Sequence, residues 1–405
     1  MYKKADVLHH VLSFFSMAYS NTLTRSTRLL SFLLLLAGGA YASYQDFGIP
    51  ASRATVDVRV FNVANMTLPG QTQSFIAPVL PGHEAATFPM YSFLVEHKQS
   101  NKRLQFDLGI RIDPQNTVPS LSGPFNAGFI HLEPYKDITT LLQDGGIALS
   151  SIDAVIWSHA HFDHVGDMSK FPNTTGLIIG GATDISTFPG NPNSTLQVSD
   201  LVGHKITKVD FTNATLSFSG LKAVDYFGDG SFYLLDTPGH LLGHMTALAR
   251  VTPTSFVVLG GDTFHHAGQA RPRPQFQKAF PCPAHLLEES KSAVSTDYFW
   301  SHGTRVGAFD ILSRAQQLLS ISDVPGSFYA DPTKSQVSLE KVASFDADPD
   351  FLVIAAHDLS LRSSIPYFPA YINGWKASSL KEGLVWNFID QTNPAFVFSP
   401  TNQTA

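Results

Sequence analysis

Apolar and polar positions alternate through residues 55–61, with Val56, Val58 and Val60 on one side and Asp57 and Arg59 on the other. A period of two buries one face of an extended chain, so this stretch predicts a half-buried strand. Residues 90–95 and 103–107 have the same character, and the polar stretch 98–102 between them predicts a paired hairpin. Residues 137–143 predict a short helix stopped by Gly145 and Gly146. The run 152–157 is apolar throughout and predicts a buried strand, with a helix expected to start near Asp167.

Short strands are predicted at 176–179, 205–209, 214–218, 232–235, 246–250 and 255–259, a spacing that suggests a packed sheet. Residues 267–283 are rich in proline, which blocks regular pairing, and predict a long loop. Helices are predicted at 284–292, 309–319 and 338–345, and a fully apolar strand at 351–356. Strands interspersed with helices in this order predict a layered α+β protein.

Residues 1–42 read as a targeting segment. Arg25 and Arg28 precede the apolar run 29–36, and small residues lead up to a cleavage pattern after Ala42. The run is shorter than the ~20 residues of a membrane span, so a secreted or membrane-anchored protein is expected through residues 25–42, with a cytoplasmic one as the alternative. Membrane contact is expected only through this segment. Asn-x-Ser/Thr sequons at Asn65, Asn173, Asn193, Asn213 and Asn402 favour the secretory route weakly.

Hydrophobic residues make up 43% of the chain and charged ones 15%, which allows a sizeable core and excludes a disordered polyelectrolyte. A net charge of -6 offers no basic footprint, so no nucleic acid is expected as a partner. Cys282 is the only cysteine, which rules out an internal disulfide and any cysteine-rich zinc module. It reads as a small buried hydrophobe.

The densest chemistry lies at residues 158–167, Ser-His-Ala-His-Phe-Asp-His-Val-Gly-Asp. His159, His161, Asp163 and His164 are metal-ligand types crowded onto the end of an apolar strand, where two metals would find nitrogen and carboxylate donors together. Further donors follow other strands: His240 on a Thr-Pro-Gly-His turn, Asp262 after Gly260-Gly261, and His357 after the run 351–356. His240 competes with His244, four residues on. His83, His97, His131, His204, His285 and His302 lack ligand spacing and read as surface or satisfied core histidines. Phe276, Phe280, Tyr298, Phe299 and Trp300 read first as core and second as pocket wall.

The succession His159-x-His161-x-Asp163-His164, His240, Asp262, His357 resembles the metallo-β-lactamase-fold hydrolases. It is most similar to the lactonase-like branch that includes the N-acyl-homoserine lactonases and fungal lactamase-type members. The resemblance covers roughly Val56 to Trp386. It implies one domain over residues 43–405, a four-layer αββα sandwich with a C-terminal extension. It also implies two zinc ions per chain: His159, His161 and His240 holding one, Asp163, His164 and His357 the other, and Asp262 bridging. Asp107 would support the site from beneath. The implied activity is the opening of a cyclic ester or amide (a lactone, a lactam or a benzoxazolinone-type ring) by hydroxide formed between the metals, with Asp163 shuttling a proton. Homoserine lactonases carry a tyrosine three residues after the bridging aspartate. This chain has His265 there, then His266, and His265 is expected to take over the hydrogen-bonding role or to support Asp262. A thioesterase-like acyl hydrolase and an iron-dependent redox or sulfur-transfer member are the alternatives within the fold.

Overall fold

The structure, a computed structural model, describes residues 44–296, 298–299 and 311–401. The targeting segment expected at residues 1–42 lies outside them, as do Asn402, Trp300 and His302. Among the described residues no helix is long and apolar enough to cross a membrane.

Seven strands form the first sheet: β1 (Asp57–Leu68), β3 (Ala86–His97), β4 (Lys102–Phe106), β5 (His131–Leu132), β6 (Ala154–Ile156), β7 (Gly176–Gly180) and β8 (Ile206–Val209). Their order is β5-β1-β3-β4-β6-β7-β8. Six form the second: β9 (Leu216–Phe218), β10 (Leu221–Asp225), β11 (Phe232–Asp236), β12 (Met245–Thr252), β13 (Ser255–Leu259) and β15 (Phe351–Ile354). They run in the order β15-β13-β12-β11-β10-β9. A small pair joins β2 (Ile76–Ala77) to β14 (Ser320–Ile321).

Side-chain alternation separates the layers. Val58 and Val60 of β1, Phe93 of β3, Phe106 of β4 and Ile156 of β6 pack with Leu234, Ala247, Val257 and Leu259 between the sheets. The opposite residues of the first sheet, among them Leu94, Val155 and Leu177, pack outward on Ile138 and Leu142 of the helix Ile138–Asp144. Leu248, Phe256, Val258 and Val353 of the second sheet meet Leu339, Val342 and Phe345 of the helix Pro332–Asp346. Helix, sheet, sheet, helix is the αββα sandwich expected from the ligand succession.

Three predicted elements differ. The helix expected near Asp167 instead occupies Phe162–Val165, inside the motif, and ends at Gly166. The predicted loop 267–283 carries two short helices, Ala267–Ala270 and Pro274–Ala279. His266 caps the first, and Pro274 opens the second where a missing N–H costs nothing. Of the helix predicted at 309–319, residues 309–310 lie outside the described part, and the rest gives a single 3-10 turn, Ile311–Ser313. The N–H groups of Leu318 and Leu319 donate to the Arg271 and Gly268 carbonyls at 3.0 and 2.8 Å, so tertiary pairing replaces helical bonds there.

Parallel pairing sets where the site forms. Phe106 of β4 registers with Ile156 of β6, and Leu259 of β13 with Ile354 of β15. Four strands therefore end at one edge, and the segments after them converge.

Candidate metal centre

The motif leaves β6 and turns into Phe162–Val165, so His159, His161, Asp163 and His164 share one tight bend. Gly166 closes it at φ 54°, and a Cβ there would stand 2.5 Å from the Cβ of Leu108. Gly239, at φ 139°, sets His240 against the helix Pro332–Asp346, and a Cβ would lie 2.1 Å from the Ser335 nitrogen. The amide of Ala356 donates to the Gly261 carbonyl at 2.8 Å and that of Met245 to the Ser158 carbonyl at 2.8 Å, which ties these segments in two pairs.

One donor group contains His159, His161, His240 and Asp262, and another contains Asp163, His164 and His357. In the first, His161 Nδ1 lies 3.0 Å from His159 Nε2 and 2.9 Å from His240 Nε2. In the second, His164 Nε2 lies 3.3 Å from His357 Nε2, and Asp163 Oδ2 stands 3.4 Å from His357 Nε2. Asp262 faces both. Its Oδ2 is 3.1 Å from His240 Nε2 and 3.7 Å from His159 Nε2, and its Oδ1 is 3.0 and 3.2 Å from the Nε2 atoms of His164 and His357.

The chemistry of these donors suits cations. His357 Nδ1 donates to the Pro89 carbonyl at 2.7 Å, and His164 Nδ1 donates to Asp107 Oδ2 at 2.9 Å. Once a cation displaces the ring protons, each Nε2 offers a lone pair, and the two nitrogens lie 3.3 Å apart. Asp262 Oδ1, fully buried, accepts no hydrogen bond.

Electrostatics divides the two groups. Burial, reinforced by neighbouring histidines, holds His159 well below the usual range and His161 down at about 3. Burial likewise holds His240 down at about 4 against the pull of Asp262, so these three stay neutral ligand types. Burial also opposes charge on His357 and His164, but there Asp262, Asp163 and Asp107 prevail. They hold His357 up at about 10 and raise His164 well above the usual range. A site that gathers protons in this way presents the negative field that a cation would answer.

Among the competing histidines, His244 falls beneath the cluster. Its Nε2 accepts from the Asp262 amide at 2.9 Å, and its Nδ1 donates to the Thr237 carbonyl at 3.0 Å. His265 stands beside Asp262 with Nε2 3.1 Å from Oδ2, and it forms a third donor group with Asp262 and His357. His266 turns away, accepting from the Gly268 amide through Nδ1 at 2.9 Å and donating to the Ala395 carbonyl through Nε2 at 2.7 Å. Phe276 and Phe280 belong to the core with Trp386, and Cys282 is buried among them. Tyr329 and Gln269 also surround His265, with no signal for it in the sequence. Tyr329 Oη lies 2.7 Å from His265 Nδ1, and no local pattern in the sequence links residues so far apart.

The profile of the metallo-beta-lactamase superfamily matches residues 122–349. The metallo-hydrolase mfmC of Annulohypoxylon moriforme is 38% identical over 362 residues, covering 86% of this chain and 90% of that protein. The gamma-lactamase FDB1 of Fusarium pseudograminearum is 32% identical over 356 residues, 85% of this chain and 84% of that one. Among solved structures, a mutant of AiiA from B. thuringiensis with N-decanoyl-L-homoserine at its active site is 17% identical, covering 79% of this chain and all of that one at a TM-score of 0.47. A profile match over more than half of the sequence and relatives aligned along nearly their whole length make this chain a member of the metallo-β-lactamase superfamily, and a metal-dependent hydrolase.

Proposed function

We propose that this chain is a dinuclear zinc hydrolase that opens a small cyclic ester or cyclic amide. The observation that carries this reading is Asp262, which turns one carboxylate oxygen toward each of two groups of buried donors. A carboxylate shared in this way suits a pair of cations, and imidazole with carboxylate suits zinc. His159, His161 and His240 would hold one ion and Asp163, His164 and His357 the other, with Asp262 between them. Zinc bound there supplies Lewis acidity toward a carbonyl oxygen and acidifies water.

The side chains of this protein do the rest. Asp107 and the Pro89 carbonyl fix the ring orientation of His164 and His357, so the donors need not reorganise when a substrate arrives. Burial raises the cost of charge on Asp163, but His164 and His357 outweigh it and lower its pKa, leaving an ionised carboxylate. Asp163 Oδ2 is thus placed to take a proton and pass it to the departing ester oxygen or amide nitrogen.

Two cavities border the donors. One of about 310 Å³ adjoins His159 and His161 and is walled by Thr183 and Leu242. The other, about 220 Å³, adjoins His265 and is walled by Phe75 and Phe88. Spaces of this size fit a ring with modest substituents and favour a small-molecule substrate. The lactamase activity named for the Fusarium relative supports the cyclic-amide arm.

Elemental analysis combined with a hydrolysis panel of lactones, lactams, thioesters and benzoxazolinones tests the reading. The expected result is two zinc ions per chain and ring opening that chelation abolishes and zinc restores. Turnover of thioesters alone would favour a general acyl hydrolase, and iron in place of zinc the redox alternative. Fewer than about one metal per chain with no hydrolysis would refute the two-metal reading.

A further inference from the structure

Four buried side chains form a line from the helix Ala267–Ala270 to the shared carboxylate: Gln269, Tyr329, His265 and Asp262. Gln269 fixes the sense of the line at one end. Its Oε1 accepts from the His265 and His266 amides at 2.8 and 3.1 Å, so its nitrogen is the end that faces Tyr329. That nitrogen donates to the Phe75 and Ser320 carbonyls at 3.0 and 3.1 Å and lies 3.4 Å from Tyr329 Oη. An amide NH2 only donates, so the phenol finds no acceptor on that side. Among the described residues its one acceptor is His265 Nδ1, at 2.7 Å.

At the other end, a carboxylate only accepts. Asp262 Oδ2 stands 3.1 Å from His265 Nε2, and its charge favours a proton on that nitrogen. Both ends favour the same tautomer, with the proton on Nε2 and a lone pair on Nδ1, and the Tyr329 hydroxyl supplies the hydrogen bond that holds it. We infer that Tyr329 is a positioning residue that, through its hydroxyl, locks His265 as an N–H donor to the metal-sharing carboxylate Asp262. This inference rests on the reading of Asp262 as a shared ligand. It also answers the open choice at position 265 in favour of support for Asp262, and it excludes the ring as a ligand, since an Nε2 bearing hydrogen has no lone pair for a cation. Orienting hydrogen bonds of this kind typically affect metal affinity by ~10–100-fold.

The test uses full-length protein labelled with 15N-histidine, with and without zinc and without any substrate. His265 is assigned from the signal missing in His265→Gln. Nitrogen shifts are expected to show a protonated Nε2 and a bare Nδ1 in both states. Tyr329→Phe should mix the tautomers and weaken zinc binding by about ten-fold or more. His265→Gln keeps an N–H for Asp262 and should bind zinc within a few-fold of the parent, and adding Tyr329→Phe to it should then change little. A coordinated, unprotonated Nε2 in the zinc-loaded protein would overturn the inference and make His265 a ligand. So would a Tyr329→Phe variant with unchanged tautomer and unchanged affinity. If that variant does not fold, the spectrum of the parent protein decides alone. A protein that binds zinc but opens no ring would refute the proposed activity and leave the tautomer result standing.

Discussion

Asp107 grips Ser158 through both carboxylate oxygens: Oδ1 accepts from the Ser158 amide at 2.6 Å, and Oδ2 from its hydroxyl at 2.8 Å. The same Oδ2 accepts from His164 Nδ1 at 2.9 Å. Asp107 follows β4 and Ser158 follows β6, so one side chain welds two neighbouring strand ends and sets the ring of His164, a candidate ligand. Asp107 pays for this with a left-handed backbone, φ 57°, unusual for a residue with a side chain. Asp107→Ala should therefore lower zinc affinity and turnover by about 10–100-fold, with Asp107→Asn between it and the parent. Zinc retained after dialysis against a graded chelator measures this, and an Asp107→Ala protein that holds zinc like the parent would show that the motif orients itself.

Asp262 makes a sharper case. Removing its carboxylate takes a donor from both groups and leaves the facing imidazoles without their shared counter-charge. Its backbone amide still donates to His244, so the loop keeps its anchor. Asp262→Ala should drop bound metal to below one ion per chain and abolish ring opening, while circular dichroism stays close to the parent. A fully active variant would show that another group shares the metals.

Much of this site is legible in the sequence. Ligand types crowded after apolar strands carry a local signal, because parallel strands that end together deliver their next residues to one place. His159, His161, Asp163, His164, His240, Asp262 and His357 do come together at one edge. Local pattern failed where backbone pairing is set by distant partners. Residues 311–319 have helical spacing, yet the N–H groups of Leu318 and Leu319 bond to the Arg271 and Gly268 carbonyls. The proline-rich stretch reads as a loop, but Pro274 sits at the first position of a helix, where it is tolerated. Tyr329 was invisible because its partner His265 lies 64 residues away and neither neighbourhood hints at the other.

The proline-rich segment has a structural anchor of its own. Arg271 is buried and donates Nε and Nη2 to the two oxygens of Asp346 at 2.7 and 2.8 Å, and Nη1 to the Val385 carbonyl at 2.9 Å. Three distant segments meet on one guanidinium. Breaking one partner of a buried pair strands the other charge, which costs about 3–5 kcal/mol. Asp346→Leu should cost that much in urea unfolding, and Arg271→Leu combined with it should recover part of the loss. A double variant as unstable as the sum of the single ones would mean that the two groups act independently.

Asp200 provides a pH-dependent prediction away from the donors. Its Oδ2 accepts from the Gln197 amide at 2.7 Å, while Oδ1 is buried without a partner. Burial pushes its pKa up to about 6, with the Gln197 amide and Arg111 pulling the other way and Asp167 adding to the rise. The folded protein therefore holds this proton more tightly than the unfolded chain, whose aspartates titrate near 4. The stabilising contribution is complete below about pH 4 and is lost as pH rises through about 6, because the folded state binds more protons in between. At neutral pH the buried charge then costs about 2–3 kcal/mol. Asp200→Asn keeps an acceptor for Gln197 and removes the charge. It should be more stable than the parent by about 2 kcal/mol at pH 7.5, and the gain should shrink as the pH falls toward 5. Urea melts of both proteins at the two pH values decide it: a gain that does not change with pH would mean that Asp200 is not the group that titrates.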